Sequence, residues 1–166
     1  VRLYINPNPT IEEASIVGRE LREQEAAPLD ELGVSPADSC MEGIRSSEYV
    51  FTINTDDGNP VAMIGLVEHE TEEDTGIVWS MATNLVAEYP IAFVKVVRDL
   101  IEEYGGLYSR LISLALADKP KHQRFQKLIG MIKTEEVVPI PHTSLTYLVY
   151  ELITAKGLNK LYYEQS

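Results

Sequence analysis

The chain has 166 residues, 45% of them hydrophobic and 24% charged, with a formal net charge of −12. That length suits one domain around one core, and the composition excludes a disordered or low-complexity chain. The negative field disfavours nucleic acid and anionic lipid as partners, and the single cysteine, Cys40, excludes an intramolecular disulfide and a cysteine-based metal site. Apolar runs such as 111–117 are too short to span a bilayer. The first residues lack the basic and apolar blocks of a signal peptide, so the expected place of synthesis and folding is the cytoplasm.

In chain order, residues 2–6 alternate as a short strand, which Asn6-Pro7-Asn8-Pro9 ends. Thr10-Ile11-Glu12-Glu13 is a capping box: the Thr10 hydroxyl can accept from the Glu13 amide while the Glu13 carboxylate returns the bond. A helix to about residue 25 is predicted, with Ile11, Ala14, Val17 and Leu21 on one face. Ser35-Pro36 reads as an N-cap with a first-turn proline, opening a short helix to about residue 45. Residues 48–55 and 60–69 read as a hairpin around Asp56-Asp57-Gly58-Asn59. An acidic loop, with five carboxylates in residues 68–74, follows, and such loops are ordinarily solvated. Residues 76–83 form an apolar strand. Phe93, Val96, Val97, Leu100, Ile101 and Tyr104 then mark a helix starting near Pro90 and ending at Gly105-Gly106. Residues 107–117 are nearly all apolar, as in a strand buried on both faces. Strand, helix, strand over 76–117 predicts a parallel pair with a right-handed crossover. A helix over 120–129 and strands over 132–138 and 143–152 complete a mixed α/β sheet domain, 1–152. Residues 153–166 are a terminal helix or a tail.

Few residues carry obvious chemistry. His69, His122 and His142 share no metal-ligand spacing, so no metal is expected. His69 reads as a solvated strand end and His122 as a surface or capping residue, with a base role the alternative for each. Lys119, Lys121, Arg124 and Lys127 are a basic cluster on an acidic chain. They read as a solvated face, a partner-docking patch or an anion site, although cations at a helix start oppose its dipole. Trp79 reads as core or cleft wall, its indole N–H needing a partner. Ser80 and Thr83 are strand hydroxyls, and Cys40 a buried, inert thiol. Leu158, Leu161, Tyr162 and Tyr163 either pack back on the domain or meet another chain.

The element order resembles the GNAT acyltransferase fold over nearly the whole chain. Leu21-Arg22-Glu23-Gln24-Glu25, Val61-Ala62-Met63-Ile64-Gly65, Ile77-Val78-Trp79-Ser80-Met81-Ala82-Thr83 and His122-Gln123-Arg124-Phe125-Gln126-Lys127-Leu128-Ile129-Gly130 are similar to a divergent branch in T-seven-like podophages, whose members are called internal virion or exclusion proteins. The resemblance implies an antiparallel meander leading into a splayed parallel pair, helices on both faces, and acetyl-CoA as cofactor. By resemblance, pantetheine pairs with the strand edge at Trp79, Ser80, Met81, Ala82 and Thr83. The family's diphosphate loop, Arg-x-x-Gly-x-Gly, relies on glycine amides at a helix start. Residues 84–92 here, Asn-Leu-Val-Ala-Glu-Tyr-Pro-Ile-Ala, hold no glycine and no basic residue, and Glu88 adds negative charge. The position of the family's general-acid tyrosine is Gln126, which cannot protonate a leaving thiolate.

Three functions follow. The expected one is a catalytically degenerate phage GNAT-like protein that binds a phage or host protein and is made in the host cytoplasm, with packaging in the virion a further expectation. The alternative is an active N-acetyltransferase with a non-standard grip, Trp79–Thr83 holding pantetheine and Lys119, Lys121 and Arg124 the phosphates. The third is a regulator that meets a host enzyme through its acidic surface.

Overall fold

The computed structural model describes residues 2–164. Among them, β1 (Tyr4–Asn6), β2 (Tyr49–Asn54), β3 (Pro60–Glu68), β4 (Thr75–Ala82), β5 (Arg110–Leu116), β6 (Ile132–Pro139) and β7 (Thr146–Ile153) form a mixed sheet in the order β1-β2-β3-β4-β5-β7-β6. The helices are α1 (Ile11–Arg19), α2 (Glu23–Glu31), α3 (Pro36–Ser46), α4 (Pro90–Gly105), α5 (Pro120–Leu128) and α6 (Ala155–Glu164). As the strand, helix, strand pattern predicts, β4 and β5 are parallel, in register from Thr75↔Arg110 to Ile77↔Ile112. The β1–β2, β2–β3, β5–β7 and β6–β7 pairs are antiparallel, and β7 enters between β5 and β6. No helix among the described residues is long and apolar enough to cross a membrane.

The described residues fall into two compact units, one holding those up to Leu66 with Trp79–Val96, the other Val67–Val78 with those from Val97 to Glu164. In the first, Thr10 caps α1 through the predicted box: its hydroxyl accepts from the Glu13 amide at 3.0 Å, and Glu13 Oε1 accepts from the Thr10 amide at 2.9 Å. The helix stops at Arg19 rather than running to residue 25. Leu21 leaves the helical path to form an antiparallel bridge with Thr83, and Arg22, at φ −59 and ψ 145, becomes the N-cap of a second helix that the pattern does not predict. Ser35 and Pro36 start α3 as expected. Ala14, Val17, Leu21, Cys40 and Met63 form the core between helices and meander, with Ala26, Leu29, Ile44 and Met81 packed against it. Gly58 turns the β2–β3 hairpin at φ +81, a conformation that costs glycine little.

In the second unit, β5 begins at Arg110 rather than Leu107. The chain first turns, with the Tyr108 amide donating to the Gly105 carbonyl, and this leaves Leu107 52% exposed. The acidic loop is pinned rather than simply solvated. His69 Nδ1 accepts from the Thr71 and Glu72 amides at 3.2 and 3.0 Å, so the imidazole organises the turn. Arg110 joins Glu72 and Glu151, each at 2.8 Å. Asp74, in the left-handed region at φ 55, accepts from the Ser109 hydroxyl and, at 2.9 Å, from Lys156 Nζ; these partners hold its carboxyl below the usual range.

The C-terminal residues 155–164 are a helix rather than a loose tail. Thr154 donates its amide to the Ser109 carbonyl at 3.1 Å and its hydroxyl to the Tyr108 carbonyl, and that hydroxyl accepts from the Gly157 amide at 3.2 Å. Gly157 sits so close to β5's approach that a β-carbon there would lie 2.0 Å from the Ser109 carbonyl oxygen. Gly157→Ala is therefore expected to destabilise by about 1–3 kcal/mol, a fall of several degrees in Tm on thermal unfolding. Gly106→Ala, whose nearest contact would be an ordinary 3.5 Å, is the control that leaves Tm nearly in place. Equal effects of the two would refute the docking argument.

Candidate functional site

The last residues of β4 are the candidate strand edge, and Trp79, Met81 and Ala82 have defined partners in the first unit. The Trp79 indole lies in a slot between α3 and β3: a β-carbon on Gly43 would come within 2.6 Å of the ring, and one on Gly65 within 2.4 Å. Its Nε1–H donates to Ser47 Oγ at 2.8 Å. The side chain is thus packed and satisfied as a wall of the fold. Ser80 and Met81 are half-buried, and Met81 Sδ accepts from the Cys40 thiol at 3.4 Å. Cys40 is fully buried, and burial, followed by the Glu25 charge, pushes its thiol up to about 11, so it stays protonated at neutral pH.

Main-chain groups alternate along a strand between its two edges. The Thr83 amide donates to the Val61 carbonyl at 2.9 Å and so faces β3, while Ala82 turns its peptide groups to the opposite edge. At Ala82 that edge is covered. The Ala82 carbonyl accepts from the Arg22 amide at 3.0 Å, and its N–H donates to Glu25 Oε2 at 2.6 Å. Arg22 Nη2 donates to the other Glu25 oxygen, also at 2.6 Å. The Glu25 side chain is 14% exposed. Burial raises its carboxyl above the usual range, and the opposing Arg22 charge, Arg22 hydrogen bond and Ala82 amide do not fully offset that rise.

Thr83 is fully buried. Its hydroxyl reaches the Pro60 and Val61 carbonyls at 3.2 and 3.0 Å and accepts from the Leu85 amide at 3.3 Å. This hydroxyl has an interior role, because Thr83 caps a 3-10 turn over Asn84–Glu88. That turn stands where a diphosphate loop is expected. The Val86 amide donates to the Thr83 carbonyl, the Tyr89 amide to the Val86 carbonyl and the Phe93 amide to the Tyr89 carbonyl, while Pro90 has no N–H. Glu88 is exposed on the turn.

The basic cluster belongs to the second unit. Lys119 occupies the N-cap position of α5 without a side-chain cap, its amide donating to the Leu116 carbonyl at 3.1 Å. Lys121, Arg124 and Lys127 are exposed, and among the described residues no ion pair is formed by these four cations. Gln126 is 6% exposed and its Nε2 reaches the Leu114 carbonyl at 3.5 Å. The position to which the resemblance assigns an acid thus holds a buried amide. Among the described residues no group of three or more His, Cys, Asp or Glu side chains is placed to hold a metal ion.

Arg22 and Glu25 are the residues that sequence patterning does not single out. Their i, i+3 spacing suits an ordinary exposed helix pair, and nothing local to it points to Ala82.

No protein-family model and no curated protein matches the chain. Solved structures do. A GNAT-family acetyltransferase from Bacillus anthracis superposes at a TM-score of 0.67 with 13% identity, over 92% of this chain and 95% of that one. The microcin C7 self-immunity acetyltransferase MccE, in complex with acetyl-CoA and AMP, gives 0.66 with 11% identity over 92% of each chain. A spermidine N-acetyltransferase SpeG chimera from Vibrio cholerae and hSSAT gives 0.65 with 13% identity, over 96% of this chain and 99% of that one. At such identities the likeness establishes a GNAT-like fold.

Proposed function

We propose that this chain is a catalytically degenerate GNAT-like protein of phage, acting in the virion or on a host by binding another protein rather than by acyl transfer. The observation that carries the proposal is the fate of the backbone donors after β4. Binding a nucleotide diphosphate at a helix start requires several amides aimed at one anion. Here the amides of Leu85, Val86, Tyr89 and Phe93 donate to oxygens of the same segment, and that of Thr83 donates to β3. The one amide identified on the outer edge, at Ala82, already donates to a carboxylate. These occupied donors support a reading without acetyl-CoA, and no step of a transfer reaction is routed through it.

Two further features support a binding role. Gln126 stands in the place of a proton donor, and the excess of 12 negative charges suits electrostatic steering toward a basic protein surface. The phage assignment rests on the four sequence segments quoted above, chiefly residues 122–130.

Thermal unfolding with and without 1 mM acetyl-CoA tests the reading. A ligand present at 100 times its Kd stabilises the native state by about 2.7 kcal/mol, roughly 5–10 °C for a chain of this size. The expected result is a Tm unchanged within about 1 °C. A rise of several degrees would sink the proposal.

A further inference from the structure

We propose that residues 21–25 form a strap that occupies the outer edge of β4 at Ala82 in place of a ligand, with the Glu25 carboxylate as its latch, closing the Ala82 position to any extended amide-bearing chain. The inference rests on reading this edge as a disused cofactor strand and says what took the cofactor's place.

An exposed strand edge with its N–H and C=O unpaired is a template for an extended chain. On this edge a segment of the same chain plays that part. Leu21 bridges Thr83 antiparallel, and the Arg22 amide meets the Ala82 carbonyl. The chain then turns into α2, and it is the Glu25 side chain that meets the Ala82 N–H.

Comparison with α1 shows how the latch is built. In α1 the N-cap amide of Thr10 and the carboxylate of Glu13, three residues on, bond to each other. In α2 the equivalent pair is the Arg22 amide and the Glu25 carboxylate. They do not close on one another. The Ala82 peptide groups stand between them, the carbonyl accepting from Arg22 and the N–H donating to Glu25. The start of α2 is thus completed by β4, and the edge of β4 is completed by α2. Arg22 supplies no side-chain cap to its helix. Its guanidinium instead holds the second oxygen of Glu25, with Nε buried and without a hydrogen-bond partner. A carboxylate with 14% exposure, held by one amide and one guanidinium, is placed to block the edge and to respond to protonation. The charged and titratable groups that face it are Arg22, from its own segment, and the Cys40 thiol of α3; β4 presents the Ala82 main chain.

Amide hydrogen exchange decides the matter, because adjacent amides of β4 serve as probe and control. In Glu25→Ala the Ala82 amide is expected to exchange at least about 10-fold faster than in the unmodified chain, while the Thr83 amide, held by Val61, keeps its rate. Equal Ala82 rates in the two proteins would overturn the strap. Should Glu25→Ala fail to fold, the unmodified chain gives the answer by NMR: the Ala82 amide proton resonance is expected to shift with pH at the midpoint of the Glu25 carboxyl carbon, and a resonance that ignores that titration would equally overturn it. Stabilisation of the unmodified chain by acetyl-CoA would instead count against the proposed function, leaving the Ala82 and Thr83 amides to judge the strap.

Discussion

Replacing Trp79 with alanine is expected to lower stability by about 3–5 kcal/mol, measured as a reduced urea midpoint by circular dichroism. The indole fills a slot whose two faces are backbone: Gly43 on α3 and Gly65 on β3 approach the ring so closely that neither position tolerates a β-carbon without movement. Those walls belong to a helix and a central strand, which cannot easily collapse into the space left behind, so most of the cavity penalty should be realised. Ser47 Oγ also loses the indole N–H that it accepts. A double mutant tests the slot more sharply. Gly65→Ala alone forces its β-carbon against the indole and should destabilise by about 1–3 kcal/mol. In the Trp79→Ala background the same change enters an emptied space and should cost far less, so the two effects are strongly non-additive. Additive effects would mean that Gly65 is not small on account of the ring. A small loss for Trp79→Ala by itself would refute the packed slot.

What could be read from the chain and what could not divide along the range of the interactions. The Thr10–Glu13 box, the Gly58 turn, the α4 stripe and the Ser35-Pro36 start are each decided within a few residues, and patterning finds them. The parallel β4–β5 pair follows from a handedness rule acting on a strand, helix, strand order. The break after Arg19 is different. Ile11, Ala14, Val17 and Leu21 keep helical spacing, and Leu21 is indeed buried, but by a bridge to Thr83 far along the chain rather than by a longer helix. The site behaves likewise. Residues 79–83 are identifiable as a strand end, and the lack of glycine over 84–92 is plain. What each residue does depends on partners remote in sequence: Gly43, Gly65 and Ser47 for Trp79, Glu25 for Ala82, Pro60 and Val61 for Thr83. Hydrogen-bond competition for one peptide group, Ala82, cannot be inferred from spacing, and it is this competition that fixes the condition of the edge.

Glu13→Ala is expected to cost roughly 3 kcal/mol at neutral pH, because one carboxylate serves as acceptor for three separate elements. Oε1 accepts from Asn6 Nδ2 at 2.8 Å and from the Thr10 amide; Oε2 accepts from Thr52 Oγ1 at 2.9 Å and Asn54 Nδ2 at 2.8 Å. β1, the start of α1 and β2 are thereby tied to a single side chain. Thr52 is fully buried, and Asn54 Oδ1 already lies buried without a hydrogen-bond partner, so water cannot readily replace the lost acceptor at either residue. The sign of the pH dependence follows. Burial pushes the Glu13 carboxyl up, but the bonds from Asn54, the Thr10 amide, Thr52 and Asn6 together outweigh it and hold the carboxyl below the ordinary 4.5. A carboxyl lower in the folded than in the unfolded chain binds fewer protons when folded, so its stabilising effect is complete above about pH 4.5 and is lost as pH falls through the lower, folded value. The stability gap between the unmodified chain and Glu13→Ala should therefore be widest near pH 7 and narrow as pH drops below 4.5. Urea titrations at a series of pH values measure it directly. A gap that persists undiminished to pH 3 would show that packing of the Glu13 stem, rather than its charge-assisted bonds, joins these elements.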